Sequence, residues 1–173
     1  MRLLLDRGAE ADATCTVYGP CDTTMELLVS SAVPAAAGVQ AALVEELCAH
    51  GARVNGLDDD GGPLRTAIAF GYTEAAEALA RCGARVDTIV FAAALGDLAA
   101  VTGFVAAGDP VERALIAAAA HGRGDVVALL LAQAPDLSVR EPTFGATALG
   151  MARHYGHDDI ARRLECVDTG TGL

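Results

Sequence analysis

Apolar positions along this 173-residue chain recur in a two-part pattern centred on glycines. Seven, four and three residues before Gly71 lie Leu64, Ala67 and Ile68. The same slots before Gly96 hold Ile89, Ala92 and Ala93, and before Gly122 they hold Leu115, Ala118 and Ala119. After the glycines, slots four and five hold Ala75 and Ala76, Ala100 and Val101, and Val126 and Val127. Slot eight holds Leu79, Phe104 and Leu130. Apolar residues at such spacings line one face of an α-helix. Each unit therefore predicts a short helix, a glycine turn, a second helix, and a second turn at Gly83, Gly108 or Ala134. The register extends in both directions. Leu149 and Gly156 are followed by Ile160, Ala161 and Leu164, while Leu43, Val44 and Leu47 precede Gly51, and Leu3, Leu4 and Leu5 precede Gly8.

This pattern places helices at about 2–7, 25–32, 39–49, 64–70, 73–82, 88–95, 97–107, 112–121, 124–133, 147–155 and 157–167. Residues 12–24 are expected to be a loop broken at Gly19-Pro20, and a second break is expected around Pro34 and Gly38. Residues 52–63 are expected to form a hairpin tip, and residues 138–146 a long loop. Asp125 and Asp158 fall near helix starts, where a carboxylate suits the positive end of the helix dipole. The last residues, 168–173, read as a flexible tail.

The segments LLLDRGAEAD, LCAHGARVN, LARCGARVD and LLLAQAPDLS resemble the end of an ankyrin repeat. GGPLRTAIAFGY and GATALGMARHYGH resemble its opening, and together these motifs cover about residues 1–167. The resemblance implies an all-α, ankyrin-like α-solenoid of stacked helix-turn-helix repeats with short or missing β-hairpin tips. Its divisions would be a partial repeat at 1–11 and repeats at about 12–54, 55–86, 87–110, 111–137 and 138–167. The spacing departs from the family's usual period of about 33. Gly8 to Gly51 is 43 residues, Gly51 to Gly83 is 32, Gly83 to Gly108 is 25, and Gly108 to Ala134 is 26. The family's opening histidine is replaced by Arg65, Val90, Ile116 and Gly150.

The resemblance also implies a role: a non-enzymatic scaffold or adaptor that binds a protein partner through a concave face and loop tips. Mapped onto this chain, that surface comprises Leu57, Asp59, Asp60 and Arg65 at the first tip. Arg140, Thr143 and Phe144 occupy the second loop, and Phe70, Leu95, His121, His154 and Tyr155 lie just before the turn glycines. The partner itself is not named by the sequence. An alternative role is a self-associating module, a homodimer through the open face of the first helix. That face is expected either to continue into a longer chain or to be covered. A third reading, a small-ligand binder or enzyme, would use the 12–38 insertion as a pocket wall.

Charge narrows the partner classes. Lys plus Arg number 12, all of them Arg, against 23 Asp plus Glu, giving a net charge of −11. Such a chain repels phosphate backbones and anionic lipid, which argues against nucleic-acid and membrane-surface binding. The apolar runs are too short for a bilayer span of about 20 residues. The opening MRLLLDRGAEAD does not read as a signal peptide. A cytoplasmic setting with reduced thiols is the expectation. Hydrophobic residues make up 53% and aromatics only 4%, so alanine dominates the apolar positions and implies closely packed helices. The Lys-free, Ala-, Gly- and Arg-rich composition is what a GC-rich genome produces.

Dedicated chemistry is sparse. Cys48 and Cys82 lie in alanine-rich stretches and read as small buried hydrophobes, while Cys15 and Cys21 have the wrong spacing for a zinc knuckle. His154 and His157 are three apart, but Gly156 lies between them, so they are not expected to share a face as a metal pair. Asp58-Asp59-Asp60-Gly61 lacks the alternating ligands and terminal Glu of a calcium loop. His50 and His121 read as surface or turn-capping histidines, and the Arg-Gly-Asp at 123–125 falls in a repeat turn. No nucleophile, base and orienter converge in the sequence, and no cofactor, metal or catalytic residue is assigned.

Overall fold

The computed structural model describes residues 1–16 and 22–168. It is mostly helical, and the helices alternate with glycine turns along the chain. Two compact units are distinguished by their internal contacts, Met1–Arg85 and the residues from Val86 onward.

The first unit opens with α1 (Arg2–Leu5) and a two-stranded antiparallel ribbon, β1 (Thr14–Cys15) and β2 (Asp22–Thr23). The ribbon falls where the pattern predicts only a loop. Each strand is two residues long; Gly19-Pro20 and Cys21 lie outside the described residues. Next come α2 (Thr24–Ser30), α3 (Ala32–Ala36), α4 (Gln40–Ala49), α5 (Gly62–Ala69) and α6 (Thr73–Arg81). A capping box starts α2: the Thr23 hydroxyl accepts from the Glu26 amide at 3.2 Å, and the Glu26 carboxylate accepts from the Thr23 amide at 2.8 Å. Such a cap contributes about 1 kcal/mol. The expected break at Pro34 is instead inside α3. Proline is the third residue of that helix, where the missing N–H would have had no intrahelical acceptor. Buried Gln40 donates to the Leu28 carbonyl at 2.9 Å and so satisfies the C-terminal end of α2 from across the chain break. The expected hairpin tip at 52–63 contains turns but no strand, and α5 begins two residues early because Gly61, at φ +74, caps it.

The unit's core joins Met25, Leu28 and Val29 of α2 with Val44 and Leu47 of α4, Leu64 and Ile68 of α5, and Leu79 of α6. Helix α2 packs on α4 and α5, and α4 packs on α6. Arg2 forks onto Glu46 of α4 at 2.6–3.0 Å, tying α1 down.

The second unit contains α7 (Ile89–Leu95), α8 (Leu98–Ala107), α9 (Glu112–Ala120), α10 (Gly124–Leu131), α11 (Ala148–His154) and α12 (Asp158–Asp168). Three hairpins, α7–α8, α9–α10 and α11–α12, sit side by side; α9 contacts both α7 and α11, while α10 contacts α8 and α12. Threonine or aspartate side chains cap α7, α8 and α11: Thr88 accepts from the Phe91 amide, Asp97 from Ala100 and Thr147 from Gly150. Alanine brings these backbones close, and every residue from Ala114 to Ala120 is buried. Larger buried side chains complete the core: Leu115, Val126, Leu130, Ile160 and Leu164. Helix α12 runs through Asp168, one residue into the expected tail; residues 169–173 lie outside the described part.

The glycine register is visible in the backbone. The closing glycines Gly8, Gly51, Gly83 and Gly108 have φ between +86° and +94°. Ala134 occupies the same slot at φ +51. Repeated helical hairpins with a shared left-handed turn are thus present in each unit.

Candidate functional site

The first unit gathers five of the expected surface residues around the 55–61 tip and the end of α5. Asn55 anchors the tip: its carbonyl accepts from the Gly61 amide at 3.0 Å, and its side chain accepts from the Arg85 amide at 3.0 Å. Arg85 in turn donates to Asp59, at 3.1 Å to the carboxylate and also to the carbonyl. Asp59 itself has φ +53. Asp60 accepts from the Gly62 amide at 2.9 Å and pairs with Arg65 at 3.1 Å. Those two contacts hold its carboxyl below the usual range, with the Gly62 amide the stronger. Asp59 and Asp60 therefore form an acidic tip braced by two arginines. Leu57 is half-buried, and its carbonyl accepts from Arg53 at 3.1 Å. Phe70 is exposed at the end of α5 and stacks on Tyr72, with ring centroids 5.9 Å apart and planes 14° from parallel.

The second unit carries the other seven. The loop before α11 is held by several internal hydrogen bonds. The Glu141 carboxylate accepts from the Thr143 amide at 2.6 Å and also from the Phe144 amide. The Glu141 amide donates to the Ala146 carbonyl at 3.0 Å, and Arg140 donates to the Gly145 carbonyl at 2.7 Å. Burial pushes the Glu141 carboxyl up, but the amides of Thr143, Phe144 and Ala146 outweigh it and leave it below the ordinary carboxylate range. This bracing holds Phe144 out with 56% of its surface exposed. At the C-terminal end of α11, His154 and Tyr155 meet edge to face at 4.8 Å, His154 exposed and Tyr155 half-buried. Leu95 is half-buried at the end of α7.

His121 departs from expectation. It is only 3% exposed, so it belongs to the interior of the second unit and not to a binding surface. At the same helix end, the His157 ring contacts the Ala120 carbonyl at 3.1 Å and lies against Gly122. His157 is thus a turn-capping residue, as is His50, whose ring contacts the Glu46 carbonyl at 2.9 Å and the Asp6 carboxylate at 3.1 Å. Cys48 and Cys82 also depart from expectation: both are half-buried, because each lies at the exposed end of its helix.

Several supporting residues carry no motif-level signal in the sequence. Asn55, Tyr72, Arg85 and Glu141 hold the exposed residues in place, yet each is an ordinary polar or aromatic residue until the fold supplies its partner. The one legible hint is Glu141-Pro142 at the start of a loop, where a carboxylate can accept the amides just downstream.

An open hollow of about 350 Å³ lies beside the end of α3, lined by Gly38, Gln40, Tyr72 and Glu74 among others. A smaller one of about 210 Å³ lies between the loop at Leu137 and Ser138 and the starts of α11 and Leu164. Among the described residues, no group of three His, Cys, Asp or Glu is placed to hold a metal ion, and no helix is long and apolar enough to cross a membrane. Stacked helical hairpins with braced tips define the class of architecture to which each unit conforms. No protein-family model matches the chain, and no curated protein sequence is significantly similar to it.

Proposed function

We propose that this chain is a non-enzymatic, ankyrin-like interaction scaffold that binds a protein partner through its loop tips and first-helix ends. The observation that carries the reading is the braced presentation of Phe144. A large aromatic side chain is held in solvent by four hydrogen bonds around Glu141 and Arg140, in a chain with only four phenylalanines. Rigid exposed aromatics are the usual anchors of protein interfaces, because little conformational freedom is left to lose on binding. Phe70, stacked on Tyr72 at the C-terminal end of α5, is a second anchor of the same kind in the first unit. Leu57, Asp59, Asp60, Arg140, Thr143, His154 and Tyr155 supply the polar and apolar surround. The acidic charge and the thiol content read from the sequence favour a cytoplasmic setting and a partner that is neither nucleic acid nor membrane.

The test is affinity capture with the immobilised chain from cells that express it, quantified against Phe144→Ala and Phe70→Ala. A stoichiometric partner lost on either substitution is expected. Recovery of the same proteins by the double variant overturns the reading.

A second reading rests on α1. Leu3 and Leu4 are 65% and 67% exposed, and Met1 is 44% exposed, on a helix whose only buried residue is Leu5. Self-association through that face would cover them. Light scattering that shows a monomer up to high micromolar concentration dismisses it.

A further inference from the structure

We propose that the open hollow between the end of α3 and the start of α6 receives an arginine side chain from the protein partner. The inference rests on the scaffold reading for the existence of a partner, and on the chemistry of the hollow for the arginine. Small residues such as Ala36, Gly38 and Gly71 line it and leave a volume of about 350 Å³. Three larger residues in the lining give that space its character. Gln40 is only 4% exposed, and its side-chain nitrogen donates to the Leu28 carbonyl at 2.9 Å and to the Ser31 carbonyl at 3.4 Å. Two carbonyl partners fix which way the amide faces, because an oxygen in the nitrogen's place would meet both with no proton to share. The Gln40 oxygen is thereby left as an acceptor. Among the described residues no hydrogen bond reaches it, yet it is not sealed from solvent. The second residue, Glu74, is exposed, and among the described residues no hydrogen bond or ion pair engages its carboxylate. The third, Tyr72, has its ring fixed by stacking on Phe70.

A fixed acceptor, a carboxylate and an aromatic ring, with no cation in the lining, select a group that is positively charged, rich in donors and flat. A guanidinium meets all three demands. It carries its N–H donors in a planar fork, it is weakly hydrated, and it stacks on aromatic rings. An ammonium directs its donors from a single point and gives up more hydration on entry. The start of α6 opposes a cation with about half a positive charge. Glu74, in the first turn of that helix, carries a whole negative charge and so outweighs it. At longer range the net charge of −11 draws basic segments toward the chain. The openness of the hollow decides the source of the arginine. Shallow walls give a free small molecule few contacts, whereas a side chain on a larger partner enters with the affinity that the rest of the interface contributes.

The test is a titration of the full, isotope-labelled chain with N-acetyl-arginine amide, followed by backbone amide chemical shifts. N-acetyl-citrulline amide, of the same shape without the charge, is the control. Saturable shifts grouped over residues 35–40 and 71–75 are expected, with a dissociation constant of about 1–10 mM, as suits a single side chain. The citrulline form should bind about fivefold more weakly or worse, and so should the arginine form to Glu74→Gln, since each change removes one charge from a charge-assisted bond. Glu74 is exposed, so this variant keeps the fold, which an unchanged melting temperature checks. Shifts that do not saturate, shifts centred elsewhere, or equal binding in either comparison overturn the proposal. Tighter binding of free arginine than of the capped form also overturns it, in favour of a small-molecule site. No cellular partner enters the titration, so failure of the pocket is read separately from failure of the scaffold reading, which affinity capture tests.

Discussion

Ala134 offers a direct measure of the left-handed turn that closes each helical hairpin. It sits three residues after the end of α10 at φ +51, and its amide donates to the Leu131 carbonyl at 3.1 Å. The corresponding residues elsewhere are glycines with φ between +86° and +94°. A Cβ built on Gly8, Gly51, Gly83 or Gly108 meets nothing within 4 Å, so the preference for glycine there is a matter of local backbone sterics and not of crowding. A non-glycine residue in this conformation is strained by about 1–2 kcal/mol. Replacing Ala134 by glycine removes that strain but adds backbone freedom to the unfolded chain, which offsets about 0.4–1 kcal/mol. Ala134→Gly should therefore stabilise by about 0.5–1 kcal/mol. For a chain of this size that raises the melting temperature by about 1–4 °C. Gly83→Ala should lower it by a similar amount, since it introduces the same strain where none exists. Thermal and urea unfolding followed by far-ultraviolet circular dichroism read both variants. A lower melting temperature for Ala134→Gly, together with an unaffected Gly83→Ala, would refute the claim that these positions share one turn.

Two further perturbations probe the turns. In Gly122→Ala the new Cβ would lie 2.7 Å from His157 Cε1 and 2.9 Å from Nδ1, on a residue already at φ +70. A loss of about 2–4 kcal/mol is expected, and a double-mutant cycle with His157→Ala should show coupling of about 1 kcal/mol or more; additive effects would mean that the ring moves aside freely. His50 is held above its ordinary value by the Glu46 carbonyl first and the Asp6 carboxylate second. A raised folded-state value means the protonated ring favours the folded state. The stabilisation is therefore complete below about pH 6.5 and fades as pH rises through the folded-state value. The stability difference between wild type and His50→Ala should accordingly be larger at pH 5.5 than at pH 8.5, by urea unfolding; an equal or opposite dependence sinks the assignment.

The helical hairpins were legible because their signal is local and repeated. Apolar residues at helical spacing, and glycines at the hairpin ends, mark α5 through α12 to within two residues. The exceptions have separate causes. Pro34 reads as a breaker, but its effect depends on whether it falls in the first turn of a helix, which only the position of Ser31 decides. The ribbon of Thr14–Cys15 with Asp22–Thr23 has no run of alternating residues long enough to register as strands.

The site was only partly legible for a related reason. Exposure of Phe70 and Phe144 follows from their place at a helix end and in a loop, which the sequence supplies. Burial of His121 does not, because it depends on helices from elsewhere in the chain that pack around α9. The tie between the Asn55 side chain and the Arg85 amide likewise arises from residues 30 positions apart meeting in space. By itself the sequence determined which residues form helices and where the chain turns, since backbone preference and helical periodicity act over a few residues. The tertiary structure alone decided which polar groups find partners and which surfaces remain open, because burial and hydrogen bonding are settled by neighbours that lie far apart along the chain.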